Sequence, residues 1–218
     1  MPNNKMQTKR MEEVLKRLRE AYQGISSGLN FSNPFELLIA TLLSAQSTDQ
    51  RVNVVTHVLF SKYPTPQHYL EVTLSELEKD IFSTGFYRNK ARNIQKCCQA
   101  LIDFHSGEVP SKLEDLTRLA GVGRKTANVV LGNAFGVPGI AVDTHVKRIS
   151  KLLGFSKNDD PDKIELKLMK IVPQSEWTNL GHLFANHGRN TCIARHPKCE
   201  QCTLSDVCPS VKKYSLVD

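Results

Sequence analysis

Four cysteines near the C-terminus constrain this chain more than any other feature of its sequence. Between positions 192 and 208 the sequence reads CIARHPKCEQCTLSDVC, a C-x6-C-x2-C-x5-C pattern. Thiolate is the soft ligand that iron–sulfur clusters and zinc prefer, so four thiolates at this density are typical of one metal centre. The pattern therefore predicts that Cys192, Cys199, Cys202 and Cys208 bind a metal centre. The spacing leaves iron–sulfur and zinc open, and a disulfide pair or free thiols are the remaining alternatives.

Composition and charge limit the class of protein. The chain has 218 residues, with 29 Lys and Arg against 22 Asp and Glu, which gives a net charge of +7. This balance suits a polyanion partner, but a solvated basic surface accounts for it equally well. No apolar run approaches the ~18 residues of a membrane span, and the N-terminus lacks the apolar segment of a signal peptide. We therefore expect a cytoplasmic protein that binds no membrane and keeps its cysteines reduced.

Apolar residues recur at helical spacing along most of the chain, and no stretch alternates as a strand would. The segment 35–45 is apolar nearly all round, which predicts a central buried helix. About ten helices are expected, which places the chain in the all-α class. Cys97 and Cys98 lie inside one of these helices and are expected to be structural thiols. Capping signals predict helix starts at Asn33, Thr73, Ser111, Asp160 and Ser175.

The segment LEDLTRLAGVGRKTANVVLGNAFG, residues 113–136, predicts two helices joined by a sharp turn. The turn is Gly121-Val122-Gly123, and two positions without a Cβ atom allow close approach of a ligand. Turn amides and the N-terminus of the helix that begins near Arg124 favour an anion, and Arg124 and Lys125 add positive charge. This geometry holds a DNA backbone without reading bases. A P-loop is excluded because Arg124 separates Gly123 from Lys125 and the preceding segment is helical. A plain helical turn with a glycine cap is the alternative.

An aspartate lies eighteen residues after Lys125, in the segment GIAVDTHVKRISKLLG. Asp143 is expected to cap the helix that starts at Thr144. A capping carboxylate can also face a binding cleft, so a catalytic role is compatible with the cap. The neighbouring His145 is a candidate DNA contact, and a structural histidine is an equal alternative.

Together these motifs resemble endonuclease III, the family of bifunctional DNA glycosylases and AP lyases of base-excision repair. The resemblance is carried by LAGVGRKTANVVL, by VDTH, by LLSAQSTD (42–49), by STGFYRNKA (83–91) and by the cysteine pattern, and it covers residues 31–209. It implies an all-α helix–hairpin–helix glycosylase fold with two helical domains. One would be a six-helix barrel of residues 27–137. The other would combine residues 1–26 and 138–218 and hold a [4Fe-4S] cluster, with the substrate entering the cleft between them.

The resemblance also implies a site and a partner. Lys125 falls on the nucleophile, Asp143 on the catalytic aspartate, and the four cysteines on the ligands of the [4Fe-4S] cluster. The partner would be double-stranded DNA with damaged bases or abasic sites, bound by a monomer that releases oxidised pyrimidines and cuts the strand by β-elimination. Cluster ligation would also pin the loop before Cys199 and present its cations to a phosphate. We expect DNA contacts from Gln46, Phe86, Gly121, Val122, Gly123, Arg124, His145, Arg195 and Lys198.

Two alternative functions stay open at the level of the sequence. One is a non-catalytic helix–hairpin–helix module that binds DNA; Lys125 paired with Asp143 disfavours it, because gripping phosphate needs no acid. The other is a monofunctional mismatch glycosylase, and such relatives generally lack the nucleophilic lysine. The chain departs from the family pattern at Ala120, where the hairpin usually has proline, which predicts a slightly less rigid hairpin. By the resemblance, Phe86 would fill the gap left by an extruded nucleotide, and it stands where the family often has a smaller aliphatic residue, so the details of that contact stay open.

Overall fold

The computed structural model describes residues 4–214, and within that range it is helical without any strand. The prediction of an all-α chain is confirmed. Two of the twelve α-helices are single turns of four residues: Leu113–Leu116, which is the predicted first helix of the hairpin, and Val211–Tyr214, which the helical periodicity did not indicate. The α-helices are α1 Asn4–Ala21, α2 Pro34–Ser44, α3 Asp49–Lys62, α4 Pro66–Glu71, α5 Leu74–Asp80, α6 Tyr87–His105, α7 Leu113–Leu116, α8 Arg124–Ala134, α9 Thr144–Leu152, α10 Pro161–Met169, α11 Trp177–Asn190 and α12 Val211–Tyr214. Short 3-10 helices cover Phe82–Thr84, Gln174–Glu176, Cys199–Gln201 and Ser205–Val207.

Internal contacts divide the chain into two compact units. One is Ser27–Val137, which we call the continuous unit, and the other combines Met1–Ser26 with Pro138–Asp218, which we call the split unit. Each unit has its own hydrophobic core. Helices α2 to α8 belong to the continuous unit, and α1 and α9 to α12 belong to the split unit.

The continuous unit is built around α2. Every residue from Leu37 to Leu43 is buried, so this helix is apolar on all sides, as predicted. Helices α3, α6 and α8 pack against it. Its start is fixed by Asn33, whose side chain accepts a hydrogen bond of 2.9 Å from the Glu36 amide, and by Pro34 in the first turn. The loop after α2 and the loops before α6 and α8 are therefore anchored to helices that pack in one core.

Helix α6 buries Cys97 and Cys98 completely in the same core. Burial raises the pKa of the Cys97 thiol to about 12 and raises the pKa of the Cys98 thiol further above its usual range. Thiols in this state are unreactive hydrophobic groups, which agrees with the predicted structural role.

The split unit packs α1 against α11. Met11, Val14, Leu15 and Leu18 are buried on one face of α1, because their positions recur at helical spacing. The apolar faces of α9, α10 and α11 complete this core. Arg10 donates to the carbonyl of Leu153 and so ties α1 to the end of α9.

Four of the six predicted capping residues are confirmed, Asn33, Thr73, Asp143 and Asp160, whose side chains all accept amide hydrogen bonds. The predicted start at Ser111 is wrong, because α7 begins one residue later and Lys112 precedes it without a side-chain cap. The predicted start at Ser175 is also wrong. A 3-10 turn in which the Glu176 amide donates to the Pro173 carbonyl precedes α11, so no side-chain cap is needed there.

Candidate DNA interface and cysteine cavity

The turn between α7 and α8 requires a glycine at position 121. Gly121 has a φ of +79°, and a Cβ atom there would lie 3.1 Å from side-chain atoms of both Asn93 and Leu42. The turn is closed by the Val122 amide, which donates to the Leu119 carbonyl at 3.1 Å, while the Val122 side chain is buried. Gly121 is therefore needed by the fold itself.

Gly123 differs from Gly121 because the fold does not require it. Its φ is −87°, an ordinary value, and a Cβ atom there would meet nothing within 4 Å. Gly123 precedes α8 without a side-chain cap, and the amides of Lys125 and Thr126 have no carbonyl partner within the helix. Open space in front of amide donors is the geometry that an anion such as phosphate fills.

Lys125 lies in the first turn of α8, two residues after Gly123 in the sequence, and its side chain is exposed. The opposite face of α8 buries Ala127, Val130 and Leu131 against the core of the continuous unit. This burial fixes the helix, so the position of Lys125 is set by α8 and not by a mobile loop.

Asp143 is the N-cap of α9, as predicted. Its Oδ1 atom accepts a hydrogen bond of 2.7 Å from the Val146 amide, and the side chain is half-buried. The cap uses the Oδ1 atom, so the Oδ2 atom can accept a further hydrogen bond or a proton. Asp143 belongs to the split unit and Lys125 to the continuous unit. Their pairing stays a prediction of the family resemblance.

His145 is held inside the split unit. Its Nδ1 atom lies 3.4 Å from Nη2 of Arg148, and a Cβ atom on Gly188 would fall 2.3 Å from that nitrogen, so the ring packs tightly on α11. Arg148 also donates to the carbonyls of Gly188, at 3.2 Å, and Cys192, at 2.6 Å. No sequence pattern indicated Arg148, because its carbonyl partners lie about forty residues further along the chain.

Gln46 and Phe86 lie at one cavity of about 220 Å³ in the continuous unit, together with Asn89, Asn93 and Gly121. Both Gln46, with a φ of 55°, and Phe86, with a φ of 49°, adopt the left-handed conformation that favours glycine. Both side chains are exposed, and the Phe86 ring is 62% accessible. The structure thus brings Gln46, Phe86 and the hairpin glycine together, with an exposed aromatic ring at the edge.

All four C-terminal cysteines line one cavity with an apolar surface, and none of them forms a disulfide. Burial raises the pKa of the Cys192, Cys199 and Cys202 thiols, so thiolates there need the positive charge of a metal beside them. In residues 4–214 no three His, Cys, Asp or Glu side chains converge closely enough to hold a single ion. Soft donors spread around an apolar cavity fit a multi-atom iron–sulfur cluster.

The cysteine loop is fixed by backbone hydrogen bonds at the end of α11. The Cys192 amide donates to the His187 carbonyl at 2.8 Å, and the Lys198 amide donates to the Thr191 carbonyl at 2.9 Å. The second bond closes the loop that carries Arg195, and Arg195 and Lys198 are both exposed. Arg195 and Lys198, two of the predicted phosphate contacts, therefore lie on a loop that is closed by a backbone hydrogen bond and faces solvent.

The chain matches two family models. Residues 39–174 match the HhH-GPD superfamily base excision DNA repair protein, and residues 192–208 match the iron–sulfur binding domain of endonuclease III. Endonuclease III from Synechocystis sp. is 48% identical over 204 residues, which are 93% of each chain. Endonuclease III from Escherichia coli K12 is 46% identical over 204 residues, which are 94% of this chain and 97% of that protein.

Two solved structures have the same fold. A non-covalent endonuclease III–DNA complex superposes with a TM-score of 0.91, at 50% identity, over 98% of both chains. A trapped covalent endonuclease III–DNA intermediate with an estranged adenine gives the same TM-score and identity over 98% of this chain and 99% of that one.

A helix–hairpin–helix in an all-α scaffold, followed by a four-cysteine cavity, defines a base-excision DNA glycosylase of the helix–hairpin–helix class. The chain belongs to the endonuclease III family. It is accordingly a DNA glycosylase and AP lyase with an iron–sulfur cluster, so the predicted fold class, enzyme class and cofactor are confirmed. No helix within residues 4–214 has both the length and the apolar character of a membrane-spanning segment.

Proposed function

We propose that this chain excises oxidised pyrimidines from double-stranded DNA and then cuts the abasic strand, with Lys125 as the nucleophile and Asp143 as its acid–base partner. The observation that carries the proposal is the exposed Lys125 in the first turn of α8, two residues after Gly123, whose Cβ position is open. A protein that is 50% identical has been trapped covalently on DNA, which requires a nucleophile of this kind.

The first step is to hold the damaged strand. The amides at the start of α8, with Arg124 beside them, bind a phosphate near Gly123, where a Cβ atom would otherwise project. Arg195 and Lys198 bind a second stretch of backbone from the exposed cysteine loop. These contacts position the duplex without reading its sequence.

The second step takes the damaged nucleotide out of the stack. Phe86 presents an exposed aromatic ring that can enter the kinked step, and Gln46 lies at the same cavity with an amide that can meet the base left behind. Filling the gap offsets part of the free energy that unstacking costs.

The chemistry then needs a neutral amine. The Lys125 Nζ lone pair forms a bond to C1′ of the sugar while the C1′–N bond to the base breaks and the base departs. The bound nitrogen then loses one proton, and its lone pair expels O4′ as the C1′–O4′ bond breaks; O4′ takes up a proton and the nitrogen keeps its remaining hydrogen, which gives an iminium at C1′. Removal of a C2′ proton breaks the C3′–O bond by β-elimination, and water then releases Lys125. Asp143 orients the amine, accepts its proton and stabilises the cationic sugar.

Cys192, Cys199, Cys202 and Cys208 would hold the [4Fe-4S] cluster. When bound, the cluster supplies the positive charge that keeps four thiolates together in the apolar cavity, and so gives the loop a fixed shape. The named relatives are bacterial proteins. We extend the proposal to a monomer acting on nucleoid DNA in the cytoplasm.

Borohydride trapping on a duplex with one abasic site tests the proposal. The wild-type protein should give a covalent adduct, and Lys125→Gln should give none while still binding the duplex. Lys112→Gln is the matched control, because Lys112 is exposed and precedes the same hairpin. A wild-type protein that binds the duplex but gives no adduct would favour a binding module or a monofunctional glycosylase.

A further inference from the structure

Lys90 is a buried lysine at the wall of the Gln46–Phe86 cavity. Its residue is 6% accessible, and its Nζ atom donates to the carbonyl of Leu43 at 2.7 Å and to the carbonyl of Thr84 at 2.8 Å. Both partners are backbone carbonyls, and burial lowers the pKa of Lys90. Burying an ammonium group costs free energy, so two aligned acceptors are needed to hold it there.

The two acceptors are both at helix C-termini. Leu43 lies in the last turn of α2, and Thr84 is the last residue of the 3-10 helix Phe82–Thr84. Carbonyls at a helix C-terminus lack partners within the helix and carry partial negative charge, which is where a lysine ammonium is most favourable. One side chain thus joins the ends of two helices that are forty-one residues apart in the chain.

Each of these helix ends leads directly into a residue with left-handed backbone. Gln46 follows α2 after a single intervening residue, and Phe86 follows Thr84 after Gly85. Phe86 in turn begins α6, because its carbonyl accepts hydrogen bonds from the amides of Asn89 and Lys90, both at 3.1 Å. Left-handed conformations of residues other than glycine persist only where the surroundings enforce them.

We propose that Lys90 is a positioning residue for duplex recognition: its ammonium group holds the end of α2 and the turn before α6 at a fixed separation, and so keeps Gln46 and Phe86 in the conformation that fills the gap left by the extruded nucleotide. The inference rests on the proposed function, since it assigns Lys90 to the step in which that gap is filled. Lys90 itself does not contact the reacting atoms.

The test compares the affinity for two duplexes in the purified, cluster-containing protein. One duplex carries a borohydride-reduced, uncleavable abasic site opposite 2-aminopurine, and the other is undamaged. Lys90→Met keeps the side-chain length and removes the donors. We expect the preference for the abasic duplex to fall by about 10- to 100-fold, because a small displacement of positioned groups has effects of this size. The rise in 2-aminopurine fluorescence on binding should fall as well.

Lys96→Met is the matched control, because Lys96 is an exposed lysine on the same helix. It should leave the preference unchanged. A purely structural role of Lys90 would weaken both affinities equally and leave their ratio at the wild-type value. If Lys90→Met does not fold, by circular dichroism, Lys90→Gln carries the same comparison with a shorter, neutral side chain.

An unchanged ratio in a folded Lys90 variant overturns this inference and leaves the proposed function intact. A wild-type protein without any preference for the abasic duplex contradicts the proposed function itself, and the inference with it. A lower ratio in the Lys90 variant alone supports both.

Discussion

The Nε2 atom of His187 lies 3.7 Å from the sulfur of Cys202, one of the predicted cluster ligands. The other ring nitrogen of His187 lies 3.1 Å from the Tyr22 hydroxyl, which in turn lies 2.9 Å from Oγ1 of Thr191. Burial and the charge of Arg148 lower the pKa of His187 to about 4, so the ring is neutral. We assign the tautomer in which the Tyr22 hydroxyl donates to Nδ1; the ring proton then lies on Nε2, the nitrogen nearest the sulfur.

We expect His187→Phe to lower the reduction potential of the cluster. Hydrogen bonds to ligand sulfurs stabilise the more negative, reduced cluster, so removing one shifts the potential downward. Voltammetry of the purified protein measures this shift, and His196→Phe is the control because His196 is exposed on the same loop. Equal potentials in wild type and His187→Phe would contradict the assigned hydrogen bond.

The two hairpin glycines should respond oppositely to alanine. Gly121→Ala places a Cβ atom 3.1 Å from Asn93 and Leu42 at a positive φ, and we expect a loss of about 1–3 kcal/mol in the free energy of unfolding. Gly123→Ala meets no atom within 4 Å at an ordinary φ, so stability should stay the same or rise by up to about 1 kcal/mol. Thermal unfolding measures both changes.

The same Gly123→Ala variant should bind duplex DNA more weakly, because the new methyl group enters the space proposed for the phosphate. Fluorescence anisotropy with a labelled duplex checks this. Full affinity in Gly123→Ala would place the phosphate elsewhere.

Replacing both Arg195 and Lys198 by alanine should make DNA binding less dependent on salt. Two lost phosphate contacts reduce the slope of log K against log salt concentration by about 2. The control pair is Lys157→Ala with Lys163→Ala, two exposed lysines with no predicted DNA contact. If the slopes of the two double variants are the same, the cysteine loop does not bind phosphate.

The stability of the protein should fall in mild acid partly through His182. Burial lowers the pKa of this residue below its usual 6.5, so the unfolded chain binds a proton that the folded chain excludes. His182 therefore does not alter the free energy of unfolding above about pH 6.5, and it lowers that free energy as the pH falls below this value. Urea unfolding of wild type and His182→Phe between about pH 7.5 and about pH 5 should show wild type losing more stability. If the free energy of unfolding changes equally with pH in wild type and His182→Phe, His182 makes no such contribution.

Much of the local structure was predictable because its causes lie within one or two helical turns. The caps at Asn33, Thr73, Asp160 and Asp143 depend on a side chain and an amide two or three residues later, and all four are present. The predicted start at Ser175 failed because the Pro173 carbonyl accepts from the Glu176 amide, a backbone contact that no capping pattern reveals, and the predicted start at Ser111 lies one residue before the residue that precedes α7.

The sequence by itself determined the helices, the hairpin turn and the four-cysteine pattern, because these follow from periodicity, from glycine and from thiolate chemistry over short spans. Only the tertiary structure decided that Gln46, Phe86 and Gly121 border one cavity, that Lys90 joins two helix ends, and that Tyr22 meets His187. Tyr22 and His187 are 165 residues apart. Contacts over such separations depend on how the helices pack around two cores, and side-chain spacing along the chain carries no record of that packing.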